Sequence, residues 1–338
     1  MDDQQHTYIL LGTYNGARYL QAQIESIGAQ TVDNWTLLIR DDGSSDATRK
    51  LLTSLADADP RLEVMPDEGK NLGCVRNYSH LATVAFERGA RYVMFADQDD
   101  VWFPAKIEQT LECMQTAERR HRSDTPTLVH TDLEVIDQHG LQVHPSFMHF
   151  QRIRHEPRWA LRTLLVQNFV TGCTAMVNRP LLAVALPVPD DALMHDWWFA
   201  LCAAACGAID FVPRGTMAYR RHGENTVTAR GFWRTMNPLR TDWRQVWSVG
   251  IHDHARAVLQ AETLLARLCE RGSGSGSAKR LVEAYVGLHG KHQTGPSRLA
   301  RALALGLRSQ TLTRTAVFYL RLLRWTRLAS AGAPVWRL

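Results

Sequence analysis

The sequence predicts an α/β fold, a mostly parallel sheet with helices on its faces, followed by a helical C-terminal extension. Three observations carry that prediction. A unit of short apolar run, loop and amphipathic segment recurs about four times in roughly the first 115 residues. The second and fourth apolar runs stop abruptly in acids, at Asp41-Asp42 and at Asp97-Gln98-Asp99-Asp100. From about Arg230 onward the pattern turns helical.

Tyr8 to Leu11 reads as the first buried strand, broken by Gly12-Thr13-Tyr14-Asn15-Gly16, with Leu20, Ile24 and Ile27 then marking one helix face. Leu37 to Ile39 is the second strand, and Asp46 is a good N-cap for a helix from Ala47 to Leu55. Leu62 to Val64 is a third strand; the turn Lys70-Asn71-Leu72-Gly73 leads into a helix carrying Tyr78, Leu81, Ala82 and Ala85. Tyr92 to Ala96 is the fourth strand, and Pro104 with Ile107, Leu111 and Met114 starts a helix just past its acids. Further on, Leu128 to His130 runs into Asp132, and Val135 to Asp137 meets a hairpin turn at His139-Gly140. Asn168 to Val177, with Gly172 inside it, reads as loop then strand. His195-Asp196-Trp197-Trp198 opens a helix that runs to Cys206. Phe211-Val212 and Ala218 to Arg220 read as two short strands before Arg221-His222-Gly223. Ile251 to Cys269, Ala278 to His289 and Leu312 to Leu328 read as helices, and the Gly/Ser alternation of Gly272 to Ser277 as a flexible linker. The expected organisation is one α/β domain over 1–229, its strand-loop-helix half ending at about residue 115, and a helical basic extension over 230–338.

The 338 residues are 45% hydrophobic and 22% charged, ordinary for a globular chain, with a formal charge of +5. That charge is uneven: Glu283 is the last acid, and nine Lys and Arg follow it. Six cysteines without CxxC spacing fit a reducing compartment, and Cys202 and Cys206 read as core residues in an apolar helix. No signal-peptide core opens the chain, and the longest apolar run, Trp197 to Ile209, is too short to span a bilayer. The expectation is a cytoplasmic protein with at most peripheral membrane contact. The helix from Leu312 to Leu328 places Leu312, Phe318, Tyr319, Leu322, Leu323 and Trp325 on one half and Arg314, Arg321, Arg324 and Arg327 on the other. Such a helix fits anionic lipid headgroups and fits equally a helix packed on the core with solvated arginines. No nucleic-acid recognition motif accompanies the arginines, so nucleic acid is not an expected partner.

Carboxylates at the C-terminal ends of buried parallel strands lie where open α/β sheets hold ligands. Clustered acids repel, and a hard cation such as Mg²⁺ or Mn²⁺ with a phosphate co-ligand relieves them. Taken alone, Asp97 to Asp100 fits an acidic helix cap just as well. No GxxxxGK[ST] occurs, and no GxGxxG follows the first strand, so neither a P-loop nor a dinucleotide fingerprint is the phosphate device.

Thr13-Tyr14-Asn15-Gly16, Asp41-Asp42-Gly43-Ser44-Ser45-Asp46, Asn71-Leu72-Gly73 with Asn77, and Asp97-Gln98-Asp99-Asp100-Val101-Trp102 occur in the order and spacing of the family 2 glycosyltransferases, which roughly residues 7 to 228 resemble. The resemblance implies the GT-A fold, a mixed sheet flanked by helices, and an inverting, metal-dependent enzyme that uses a nucleotide-diphospho-sugar. The Asp-Gln-Asp-Asp-Val-Trp form and His195-Asp196-Trp197-Trp198 most resemble bacterial rhamnosyltransferases of surface-polysaccharide assembly. It implies that Thr13, Tyr14, Asn15, Asn71 and Gln98 line the donor, that Asp42 meets a uracil or thymine ring, and that Asp97 meets the pentose. Asp99 becomes the metal-binding acid, His222 completes the metal shell, and Arg221 faces the diphosphate. Asp100, Asp132, Gly172, Trp197 and Trp198 are implied near sugar or acceptor. Asp196 is the implied general base, and a helix N-terminus favours its ionised form. The expected donor is dTDP-L-rhamnose first and a UDP-sugar second, and the expected acceptor a glycan or lipid-linked hydroxyl. Two rivals remain: a sugar-1-phosphate nucleotidyltransferase, which wants a Gly-rich basic loop after the first strand, and a non-catalytic nucleotide-sugar-binding scaffold.

Overall fold

The computed structural model describes residues 6–66, 69–223, 243–290 and 292–325. Four parallel strands form one half of a single sheet: β1 (Thr7–Thr13), β2 (Trp35–Asp41), β3 (Leu62–Val64) and β4 (Tyr92–Ala96), in the order β3-β2-β1-β4. They are contiguous apolar runs because both faces are covered. The other half is mixed. β5 (Val101–Trp102) follows the acids, and β6 (Thr127–Ile136) forms a hairpin with β7 (Gln142–His144). β8 (Met176–Asn178) runs antiparallel to both β4 and β6, and β9 (Ala208–Arg220) lies parallel to β6 and antiparallel to β5.

Alternation along the strands divides the core. Leu10, Leu38, Val93 and Phe95 face α3 (Cys74–Glu87), α7 (Arg179–Ala185) and α8 (His195–Cys206). Ile9, Leu11, Leu37, Ile39 and Met94 face α1 (Leu20–Gly28), α2 (Thr48–Ala58) and α4 (Lys106–His121). Short helices α5 (Phe147–Gln151) and α6 (Ala160–Leu164) follow β7. At the C-terminal end lie α9 (Trp243–Glu270), α10 (Gly276–Leu288), α11 (Gly295–Ala304) and α12 (Leu312–Leu323). Val258, Leu264, Leu268, Tyr285, Phe318 and Leu322 from α9, α10 and α12 join the same apolar cluster as α8.

Several expectations change. The helix after β2 starts at Thr48, one residue later than expected, and Asp46 Oδ1 accepts from the Thr48 N–H at 3.0 Å. The two short strands expected near Phe211 and Ala218 are one strand, β9; Pro213, Arg214 and Gly215 interrupt its apolar pattern where the register against β6 shifts. The Gly/Ser stretch is a packed turn and not a loose linker. Ser275 Oγ accepts from the Ala278 N–H at 3.1 Å to cap α10. Gly274 has φ 80°, and a Cβ there would lie 3.0 Å from Leu268 Cδ2. α11 was not expected; Thr294 caps it and Pro296 sits in its first turn. Arg327 and Leu328, assigned by sequence to the last helix, lie outside the described residues. Among the described residues no helix is long and apolar enough to cross a membrane.

Candidate active site

The parallel register puts Thr13 beside Asp41 and Leu11 beside Ala96, so the loops after β1, β2 and β4 open on one rim. Thr13 Oγ1 donates to Asp41 Oδ1 at 3.0 Å, and the Ser44 N–H and Arg49 Nε donate to Asp41 Oδ2, each at 2.9 Å. Burial pushes the Asp41 carboxyl up, but the donors from Ser44, Arg49 and Thr13 outweigh it and hold the group below its ordinary value. Asp42 is also engaged. Its Oδ1 accepts from Arg40 Nη1 at 2.6 Å and the Leu72 N–H at 2.7 Å, and its Oδ2 accepts from the Gly73 N–H at 2.8 Å. Asp42 therefore ties the Asn71-Leu72-Gly73 turn to β2. Asn71 is exposed at that turn, its Oδ1 accepting from the Gly73 N–H.

The loop after β1 is held from both sides. Asn15, at φ 49°, donates its N–H to Ser44 Oγ and accepts from the Ser45 N–H, both at 2.8 Å. Gln98 clamps the Tyr14 main chain: the Tyr14 N–H donates to Oε1 at 2.9 Å and Nε2 donates to the Tyr14 carbonyl at 3.0 Å. The Gln98 amide is thus occupied as a brace, with the partly exposed Tyr14 beside it.

The acids after β4 divide by direction. Asp97 accepts from the Tyr78 hydroxyl at 3.0 Å, and burial together with the Asp99 charge pushes it up to about 6. Asp99 Oδ2 lies 2.6 Å from His222 Nε2. β5 creates that contact: Val101 pairs with Ala218, which returns the end of β9 over the acidic turn. Asp100 points inward and is fully buried, with Oδ1 accepting from the Arg220 N–H at 3.1 Å. Burial, Asp99 and Asp97 push Asp100 well above the carboxylate range. Ligand atoms of Asp97, Asp100 and Cys173 fall within 4.8 Å of one another.

Asp196 lies in the first turn of α8, where Oδ2 accepts from the Gly172 N–H at 2.9 Å and Oδ1 from the Trp197 N–H at 2.5 Å. These donors and the helix N-terminus favour the ion, as expected, but burial outweighs them and Asp97 adds repulsion, so the carboxyl is pushed up to about 7. Gly172 earns its place through its N–H; a Cβ on it would lie 3.3 Å from the Asp196 Cβ. His195 is buried beneath, stacked on Tyr78 at 4.1 Å between ring centroids, and is pushed down to about 3 by burial.

Two expected residues are corrected. Trp198 is fully buried with Nε1 donating to the Ala185 carbonyl, so it offers no ring to a sugar. Asp132 is taken up locally: Oδ2 accepts from Ser146 Oγ at 2.5 Å and Oδ1 from the Met148 N–H at 3.1 Å, which holds α5 against β6. Trp197 is partly buried, its Nε1 donating to the Leu164 carbonyl at 2.7 Å. Arg221 places its guanidinium 5.7 Å from the Phe150 ring, on the α5 side. Its neighbour Arg220 instead reaches the site, with Nε donating to the Asp99 carbonyl at 3.0 Å and the guanidinium 4.8 Å over Tyr19. Tyr19 also lies 5.2 Å from the His222 ring. The sequence motif held both Arg220 and Arg221 without choosing between them, and it gave no role to Tyr19 or Tyr78. Strand alternation after the buried Met217 and Tyr219 carried a signal for Arg220; Tyr78 was hidden in an apolar helix face.

The donor set suits a hard divalent ion, since Asp97 and Asp99 offer carboxylate oxygens and His222 an imidazole nitrogen. Asp97 is raised first by burial and then by the Asp99 charge, and a cation between the two acids would relieve the second of these.

An open α/β sheet with such carboxylates at the ends of its parallel strands defines a GT-A-type nucleotide-diphospho-sugar transferase architecture. Residues 8–182, just over half the chain, match the model of glycosyl transferase family 2, and the chain belongs to that family. It is 24% identical to the dTDP-rhamnosyl transferase RfbG of Shigella flexneri, over 69% of this chain and 80% of that one. It is 27% identical to the UDP-Glc:alpha-D-GlcNAc-diphosphoundecaprenol beta-1,3-glucosyltransferase WfgD of Escherichia coli, over 52% of this chain; it spans only 60% of that protein's length. Among solved structures, S. aureus TarS 1-349 shares the fold, with a TM-score of 0.52 at 13% identity over 94% of this chain and 87% of that one.

Proposed function

We propose that the chain is an inverting glycosyltransferase of surface-polysaccharide assembly, with Asp196 as its general base. The observation that carries this is the Asp196 carboxyl: held by two main-chain donors, poised at about 7, and close enough to Asp97 to feel its charge. A base works best with a proton affinity near the working pH. Asp196 takes the proton of an acceptor hydroxyl as its oxygen forms a bond to the anomeric carbon. The bond from that carbon to the diphosphate oxygen breaks on the opposite face, and the nucleoside diphosphate leaves with the electron pair.

Asp99 and His222, with Asp97 beside them, are the residues that would hold Mg²⁺ or Mn²⁺. Such an ion, when bound, supplies charge neutralisation at the diphosphate. Tyr14, Asn15 and Asn71 form the wall where the nucleoside would lie, with Thr13 buried behind them against Asp41 and Gln98 fixing their loop. Asp42 keeps a free lone pair on Oδ2 for a ring N–H. Arg220 replaces Arg221 as the arginine nearest the acidic turn.

The proposed donor is a pyrimidine nucleoside-diphosphate sugar, dTDP-L-rhamnose first. The sequence motifs and the likeness to RfbG support that choice. A UDP-sugar is the second reading, favoured by the likeness to WfgD. The acceptor is a glycan or lipid-linked hydroxyl, met by a cytoplasmic enzyme at the inner-membrane face. The test is incubation with Mg²⁺ or Mn²⁺, a panel of sugar nucleotides and defined lipid-linked glycans, reading released nucleoside diphosphate and product linkage. Transfer that survives both Asp99→Ala and Asp196→Asn rejects the assignment. Binding of sugar nucleotides with no turnover on any acceptor favours the non-catalytic scaffold.

A further inference from the structure

α12 carries two apolar arcs, and only one is covered. Phe318 and Leu322 are buried in the core. Leu312, Ala316, Leu320 and Leu323, spaced four, four and three residues apart, fall on another arc and are all exposed. Leu312 is 90% exposed, Leu320 46% and Leu323 39%, and Val317 borders them at 37%. Two of the arginines expected on the open side turn inward instead. Arg314 Nη2 donates to the Gln151 carbonyl at 2.9 Å, and Arg321 is half-buried, its guanidinium 6.0 Å from the Trp247 ring. The core therefore covers only part of the apolar half of the wheel: Phe318 and Leu322 are buried, while Leu312 and Leu323 of that half stay exposed beside Leu320.

We propose that this exposed arc of α12 is a docking surface for an anionic lipid bilayer. Charge selects the occupant. Arg324 on α12 and Arg301 and Arg308 before it are exposed, and no Asp or Glu occurs from Ala284 to Leu338 to offset them. An apolar strip set in such a surface complements anionic headgroups over acyl chains. A second copy of the chain would bring the same positive surface against itself, which opposes association. The proposal rests on and deepens the lipid-linked acceptor reading, since a chain docked on a leaflet meets an acceptor presented there.

The test uses the full chain in flotation with phosphatidylglycerol-containing and pure phosphatidylcholine vesicles, and needs no turnover. The expected result is binding to the anionic vesicles that weakens with salt, and a loss of about tenfold or more in the Leu320→Asp/Leu323→Asp variant. Leu141→Asp, on an exposed turn remote in sequence, should leave binding unchanged. Circular dichroism and transfer to a water-soluble acceptor verify that the variants fold. Equal binding by native and leucine variants, or no binding of the native chain to anionic vesicles, overturns the proposal. So does a native dimer that the leucine variants convert to monomer. Failed docking with intact transfer rejects the docking surface alone; docking without transfer supports the surface and rejects the enzymatic reading alone.

Discussion

Asp196→Asn separates what the carboxyl does for chemistry from what it costs the fold. In the folded chain Asp196 is pushed up to about 7, against an ordinary value of 3.8. The folded state therefore binds a proton more tightly than the unfolded chain, and stability falls as pH rises from about 4 towards 7. Each unit is worth about 1.4 kcal/mol, so two units from pH 5 to 7 bound the loss at about 3 kcal/mol. Partial exposure of the side chain reduces this to about 2 kcal/mol. Asparagine carries no charge, so the variant should lose this part of the pH dependence, together with the part of the Asp97 titration that the Asp196 charge imposes. Asparagine also replaces one of the two oxygens that accept from the Gly172 and Trp197 N–H groups by an NH2 that cannot accept, which costs about 1 kcal/mol. Urea unfolding at pH 5 and pH 8 measures both effects: Asp196→Asn should be the less stable protein at pH 5 and equal or better at pH 8. Transfer should fall by about 10²- to 10⁴-fold, and the acid limb of native kcat/KM near pH 7 should disappear. Parallel stability profiles for the two proteins, or transfer within tenfold of native, would refute the reasoning.

Three further outcomes follow from the same geometry. Chelation with EDTA should abolish transfer, with Mn²⁺ or Mg²⁺ restoring it, and Asp99→Ala should not be rescued at any ion concentration tested; chelator-resistant transfer would remove Asp99 and His222 from the proposed metal role. Arg40→Met should destabilise the chain by about 3 kcal/mol in urea, because it strands the buried Asp42 carboxylate, and Asp42→Asn in the same chain should recover part of the loss. Gly16→Ala would place a Cβ 2.2 Å from Gln98 Oε1 and force the Tyr14 clamp open; the expected result is a donor KM raised by about tenfold with a nearly unchanged melting temperature.

The parts legible in sequence were those fixed by local pattern. Buried parallel strands must be continuous apolar runs, so Tyr8 to Leu11 and Tyr92 to Ala96 announced themselves, and the acids that end β2 and β4 located the rim. What was not legible depends on pairings between distant segments. Arg220 and Arg221 are adjacent and chemically identical; only the pairing of β9 with β5 and β6 sends one to Asp99 and the other to Phe150. Asp132 looked available until Ser146, fourteen residues on, claimed it. The wheel of α12 identified apolar residues correctly but could not say which arc the core would cover, because a helix with two apolar arcs has no unique inside.

Asp196 shows the same limit in electrostatic form. Its place at a helix N-terminus argued for a plain ionised base, and the local donors do pull that way. The largest influence is burial by the surrounding core, and the charge of Asp97, which reaches the cleft from β4, adds a smaller push in the same direction. Neither is a property of the sequence near residue 196. The consequence is a base whose strength depends on what neutralises the acids opposite it. A cation that compensates Asp97 should lower Asp196 by the share that Asp97 contributes, with burial still holding it above the ordinary carboxylate range. The acid limb of kcat, measured on the loaded enzyme, should then lie at lower pH than the acid limb of kcat/KM. Coincident limbs would mean that Asp97 and Asp196 are not electrostatically linked, and that burial alone sets the base.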